Sequence, residues 1–261
     1  MEGRVRLVII PFIFSLFALF SCSALADLWS PLDDEVSDEE LARRGFAGSV
    51  EAGFNNSTGN TETTGYRSRI EIDHFLIGWR NRYGFESDFK KDDESTSQER
   101  YKVTLKAEKE WNETSSYTFV LGDYENDRFN GMRNLITISA GYGWRAWQAD
   151  IAFLDLELGP GFRSNEAGDK DKEAIARGAA RFEWQVSDTA TLTEVFSTEI
   201  GQENRITRSE TALSAELIGQ LSLRLSFFMV YQSKPVDDDG FEDETLEELD
   251  TRTSLTLLYS F

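Results

Sequence analysis

From Gly45 to the C terminus, apolar and polar residues alternate nearly one for one, and this period of two limits the folds open to the chain more than any other feature. Side chains leave a β-strand alternately on opposite faces, so such a pattern builds a sheet with one apolar and one polar face. Tyr101, Val103, Leu105, Ala107 and Trp111 interleave with Arg100, Lys102, Thr104, Lys106, Glu108 and Glu110. Leu221, Leu223, Leu225, Phe227, Met229 and Tyr231 interleave with Ser222, Arg224 and Ser226. Trp79, Tyr83, Phe85 and Phe89 oppose Arg80, Arg82, Glu86 and Asp88, and Ala176, Ala180, Phe182 and Trp184 oppose Arg177, Arg181, Glu183 and Gln185.

Segments of this kind predict about twelve strands, near 45–55, 61–76, 78–90, 99–111, 115–124, 132–144, 147–161, 173–186, 190–200, 205–218, 221–233 and 250–261. The segment 190–200 is the weakest, because Glu194 shares a phase with Leu192 and Phe196. In the seventh segment the apolar phase slips between Phe153 and Leu154, which predicts a bulge there. Links around Gly78, Asn112-Glu113, Arg145-Ala146, Ser187-Asp188 and Gly219 are short. Those containing NNSTGN, KKDDESTSQ, DYENDRFNGM, RSNEAGDKDKE, GQEN and SKPVDDDGFEDETLEEL are longer. Long and short links take turns along the chain, as when tight turns line one rim of an up-and-down barrel and loops line the other.

A soluble barrel or sandwich produces the same alternation with its apolar face inward. Three features favour the opposite arrangement, a single transmembrane antiparallel β-barrel of about twelve strands in an all-β chain. The polar faces carry Gly, Ser, Thr and charges of both signs, as a lumen does; Trp79, Trp111, Trp144, Trp147 and Tyr259 fall near strand ends, as in membrane girdles. The third feature is a route of export. Residues 1–26 place Arg4 and Arg6 before an apolar run from Leu7 to Phe20 and end on Ala24-Leu25-Ala26, the pattern of a secretory signal peptide cut before Asp27. Cys22 in LFSC gives a loose lipobox as the alternative, but Phe20 fits it poorly. Residues 27–44 are acidic and polar, read as a periplasmic lead-in with one short helix capped by Ser37 and Glu40, and residues 45–261 form the barrel. No later stretch approaches 18 consecutive apolar residues, so helices do not put this chain in a membrane.

Three stretches carry a family resemblance: GFAGSVEAGFNNSTGNTETTGYRSRIE, LELGPGFR at 156–163, and the closing LTLLYSF. Together they resemble the YdiY-like family of salt-induced outer-membrane proteins, a domain of unknown function, over about Gly45 to Phe261. The resemblance implies an outer-membrane barrel and supplies no catalytic motif. It also implies a role in envelope integrity or in the response to salt or osmotic stress.

Candidate chemistry is sparse. The formal charge of −20, from 47 acidic against 27 basic residues, excludes a nucleic-acid partner that needs clustered cations. His74 is the one histidine. An outer-membrane phospholipase also resembles a twelve-stranded barrel with an exposed His and Ser, but no signature marks a nucleophile near His74, whose phase with Ile70 and Ile72 places it outward at a rim. No enzyme and no cofactor are expected. The acidic run from Asp237 to Asp250 lacks the register of an EF-hand loop and reads as a solvated outer loop able to bridge lipopolysaccharide phosphates through divalent ions.

The third constellation is the charge on the polar faces: Arg67, Arg69, Glu71, Asp73, Arg80, Arg82, Glu86, Asp88, Arg177, Arg181, Arg208, Glu210, Arg224 and Arg252. These residues either line a narrow selective channel or pair with one another and fill the bore, and a barrel of about twelve strands lies between the filled and the open classes. The expectation leans toward the filled or very narrow lumen, with a diffusion channel for small solutes as the alternative. Thr251, Thr253, Leu255, Leu257, Tyr259 and Phe261 form the lipid row of the last strand, which must pair with the first near 46–54. Tyr259 and the terminal Phe261 resemble the signal read by barrel-assembly machinery. The expected partners are therefore outer-membrane lipid, lipopolysaccharide and that machinery.

Overall fold

Backbone N–H and C=O groups in hydrocarbon must be satisfied within the protein, and strands achieve this only when the sheet closes on itself. The computed structural model describes residues 45–58, 63–92, 95–111, 115–127, 130–166, 172–235 and 247–261, and in them twelve antiparallel strands close into one barrel. The strands are β1 (Phe46–Thr58), β2 (Thr63–Leu76), β3 (Trp79–Asp92), β4 (Ser95–Trp111), β5 (Ser116–Asp127), β6 (Met132–Ala149), β7 (Ala152–Ser164), β8 (Lys172–Ser187), β9 (Ala190–Ile200), β10 (Arg205–Ile218), β11 (Leu221–Gln232) and β12 (Leu249–Ser260). Each pairs with its sequence neighbours, and β12 returns to β1, from Ser49 opposite Ser260 to Thr58 opposite Thr251. Every strand meets or exceeds the roughly 9 to 11 residues that a tilted strand needs to cross a bilayer. The expected leader, lead-in helix, Asn112-Glu113 link and most of the acidic run Asp237–Asp250 lie outside the described residues.

Which face turns inward separates a membrane barrel from a soluble one. Among the described residues, 23 polar or charged side chains are buried against 10 apolar ones, and the buried set includes Arg67, Asp88, Glu51 and Lys90. Phe54, Tyr66, Leu158, Phe162 and Leu257 lie exposed on the outer wall. A soluble barrel buries the reverse set, since apolar burial is its main driving force. Here the apolar girth faces lipid and the charges face the bore. Trp79, Trp111 and Trp144 stand exposed at the short-turn ends of their strands, and Trp147 stacks on Phe182 with ring centroids 6.2 Å apart.

The sixth and seventh strands differ from the expected pattern. β6 continues to Ala149 and turns at Asp150-Ile151, so Arg145-Ala146 is not the link; it is where the ladder shifts, with Arg145 opposite Asp155 and Trp147 opposite Leu154. The extra residue is Ala146 on β6, and β7 itself carries no break in phase. Phe153 lies on the lumen side near the rim, where the Arg145 guanidinium covers its ring at 5.1 Å, so an apolar residue on the polar face had mimicked a slip. The GPG of β7 is also explained by backbone approach: a Cβ on Gly159 would lie 2.2 Å from the Ala140 carbonyl oxygen and one on Gly161 2.7 Å from that of Ile138. Pro160, without an N–H, sits between them on the lipid face.

Candidate functional site: the charged lumen

The inward rows of the strands place cations and carboxylates at similar heights on facing walls, and their lengths allow them to meet. Arg69 on β2 donates to both oxygens of Glu210 on β10, at 3.2 and 2.6 Å. Arg208 on β10 reaches Glu125 on β5 at 2.8 Å, across five strand positions of a twelve-strand ring. Arg252 on β12 meets Asp88 on β3 at 3.0 Å, and Arg100 on β4 contacts Glu86, Asp88 and Glu125 at 3.0, 2.9 and 2.6 Å. Arg224 joins Glu210 at 3.0 Å and Glu51 at 3.7 Å, while Arg163 joins Glu173 at 2.5 Å and Glu199 at 3.3 Å. Arg208 closes the chain to Glu199 at 3.7 Å, and Arg67 adds Glu51, Glu86 and Asp88 at 3.8, 3.6 and 3.5 Å.

Among the described residues these contacts form one connected network of seven arginines and seven carboxylates. It is electrically balanced, so none of the formal charge of −20 resides in it. Bonds that run from wall to wall mean that the bore is spanned at these levels, because a 2.8 Å contact leaves no room for a solute between its partners. Phe228 supports the network from within: its ring lies 3.9 Å from the Arg67 guanidinium and 4.9 Å from that of Arg252. An aromatic face attracts desolvated cations and leaves the carboxylates free to take their edges. Nearer the long-loop rim, Met132 and Leu135 of β6 pack against Ile206 of β10 and the half-buried Val230 of β11, an apolar cluster that joins these strands on the lumen side.

A second cluster occupies the short-turn half. Lys106 bridges Glu108 at 2.7 Å and also pairs with Glu157, which accepts from Tyr117 at 2.8 Å and from Arg177 at 3.0 Å. Arg80 donates to Glu108 at 2.6 Å and Arg82 to Asp73 at 2.9 Å. Around these groups lies a cavity of about 210 Å³, bordered by eight cationic and eight anionic side chains, Glu71 and Lys102 among them. Arg181 pairs with Glu183 at 3.3 Å and stays about one-third exposed.

The structure brings together most of the charges named from sequence, and it adds partners that alternation alone did not single out. Arg100, Arg163, Glu51, Glu125, Glu173 and Glu199 complete the network, and each is an inward-phase charge. Phe228, Met132, Leu135 and Ile206 carried no such signal, because an apolar residue on the inward phase looks like noise in a period-two pattern. His74 is outward: its ring stacks on Phe46 at 4.3 Å at the short-turn rim. Tyr259 lies on the outer face, its hydroxyl donating to Gln220 at 2.7 Å, and the backbone of Phe261 exchanges two 2.8 Å bonds with Gly48. No group of three or more His, Cys, Asp or Glu suited to a metal occurs among the described residues.

A closed twelve-stranded barrel with an apolar outer wall and an ion-paired interior belongs to the class of transmembrane outer-membrane barrels. Residues 50–261 match the family described as "Protein of unknown function, DUF481", and the chain belongs to that family. The chain is 26% identical over 250 residues to "Uncharacterized protein YdiY" of Escherichia coli (strain K12), covering 94% of this chain and 93% of that one. Among solved structures it resembles the NanC porin, with a TM-score of 0.52, 10% identity, and 81% of this chain and 98% of that one covered. The KdgM porin is similar at a TM-score of 0.47 and 13% identity, covering 82% and 99%. At these identities the likeness concerns the fold.

Proposed function

We propose that this protein is a closed-bore barrel of the outer membrane that contributes to envelope integrity, including under salt or osmotic stress, and does not conduct solutes. The observation that carries the reading is the Arg208–Glu125 bridge of 2.8 Å between strands on opposite walls, reinforced by Arg69–Glu210 and Arg252–Asp88. Ion pairs removed from water are screened by salt much less than exposed pairs, so a seal of this kind suits an envelope facing changing ionic strength. Its surroundings would be outer-membrane lipid and lipopolysaccharide, reached by export through a cleaved leader and by assembly machinery that reads the terminal Tyr259 and Phe261. The reading assigns no catalysis and no cofactor. His74 is engaged with Phe46 at the rim, and a lipid-hydrolysing activity lost on His74→Ala would overturn that assignment.

The cavity of about 210 Å³ favours one second reading, a narrow diffusion path for small solutes. Its balanced lining would give little preference for either ion sign. Reconstitution into planar bilayers separates the two. The closed reading expects no discrete conductance from the parent protein and resolvable steps from the double variant Glu125→Ala/Arg208→Ala, in which the transverse bridge is gone. Discrete steps from the parent protein would sink the closed reading in favour of the channel.

A further inference from the structure

Of the eight cationic and eight anionic side chains around the short-turn cavity, all but two are engaged by an ion pair or a hydrogen bond. Lys102 on β4 and Glu71 on β2 are the exceptions, and among the described residues neither has such a partner. The opposite charges that act on them are committed elsewhere. Glu86 and Glu125, which attract Lys102, are taken by Arg69, Arg100 and Arg208. Arg69 and Arg82, which attract Glu71, are taken by Glu210 and Asp73.

Glu71 stands level with Gly84 of β3 and Thr104 of β4, and Lys102 lies one inward step from Thr104, nearer the network. Gly84 leaves the wall between them bare, although an added Cβ would meet Thr104 at an ordinary 3.4 Å. Two strand spacings of about 4.8 Å each part the charged residues. A free ammonium and a free carboxylate therefore border one space of about 210 Å³ without meeting. Exposure rises from Arg69 at the network through Arg82 to Arg181, so the cavity opens toward the short-turn rim.

We propose that this cavity is a binding site for a small zwitterion with N–H donors, such as a free amino acid, whose carboxylate pairs with Lys102 and whose ammonium pairs with Glu71. A half-buried charge without a partner is costly, and a ligand of both signs satisfies the two groups at once. A lone anion or cation would answer one of them and unbalance an otherwise neutral lining. Glu71 can only accept, which favours an ammonium over a quaternary nitrogen. At roughly 30 Å³ per water the cavity has room for about seven waters, so the solute has a similar number of non-hydrogen atoms. Entry is from the short-turn mouth and does not depend on whether the network closes the bore.

Isothermal titration calorimetry on the full folded barrel in detergent tests the site, with glycine, β-alanine and 4-aminobutyrate as probes. At least one should bind saturably, one to one, with a dissociation constant below about 1 mM. Acetate and ethylammonium, with one charge each, should bind at least about tenfold more weakly than the best zwitterion. Lys102→Met and Glu71→Gln should each lower affinity by about tenfold or more, and so should Gly84→Leu, which keeps both charges and fills the space between them. Lys172→Gln, at the exposed long-loop rim, should change nothing. Heat-modifiable gel mobility verifies that each variant is folded. Saturable binding by none of the probes, one-charge analogues as tight as the zwitterions, or undiminished affinity in both Lys102→Met and Glu71→Gln would each overturn the proposal. Planar-bilayer conductance, which tests the closed bore, is a separate measurement, so either reading can fail while the other stands.

Discussion

Asp88 is fully buried and faces three guanidiniums, at 3.5 Å from Arg67, 2.9 Å from Arg100 and 3.0 Å from Arg252. Removing one partner of a buried charge cluster strands the others, so Asp88→Ala is expected to lower stability by about 3–5 kcal/mol, read from urea unfolding in detergent by tryptophan fluorescence. Asp73→Ala provides the contrast: its pair with Arg82 retains access to water, and the expected loss is within about 1 kcal/mol. Gly143 gives a steric prediction. The Tyr117 ring lies over it so closely that an added Cβ would meet Cζ at 2.3 Å. Gly143→Val therefore displaces Tyr117 from its bond to Glu157, with a loss of about 1–3 kcal/mol in the same assay. The charges of these sites were visible in the sequence as inward-phase residues. Their pairings were not, because a bond such as that of Asp88 to Arg252 joins β3 to β12, far apart in sequence, and depends on the diameter of the closed barrel.

Among the elements, the seam between β1 and β12 is the one that closes the sheet, and Phe261 lies at its end. Deleting Phe261 removes both of its backbone bonds to Gly48, whereas Phe261→Ala keeps the bonds and removes the ring. If the ring is what assembly machinery reads, both variants should show a reduced heat-modifiable band in cells. After refolding into detergent, only the deletion should remain impaired. Equal assembly of Phe261→Ala and parent in cells would reject the signal. All twelve strands are where alternation placed them, with ends adjusted by a few residues, because a half-buried strand leaves its period in the sequence. The β6–β7 turn was misplaced since the bulge at Ala146 lets β6 continue past a point where its apolar phase changes. A one-residue bulge and a turn disturb a period of two in the same way.

For the molecule as a whole, the balanced network predicts insensitivity to ionic strength. Raising salt from about 0.1 M to about 1 M shortens the Debye length from about 10 Å to about 3 Å, which weakens exposed pairs and largely spares pairs removed from water. The urea midpoint of the parent barrel is therefore expected to stay nearly constant across that range. A steep fall in the midpoint with salt would show that solvent ions reach the network and that the bore is wet.

The alternation by itself determined that this chain forms strands, how many there are, and which side chains share a face. Export and girdle features then indicated which face meets lipid. Whether the inward charges meet one another across the lumen was decided only by the tertiary structure, because paired and unpaired charges write the same residues on the same phase. What separates them is whether Arg208 can reach Glu125 across the bore, and that distance follows from strand tilt and closure.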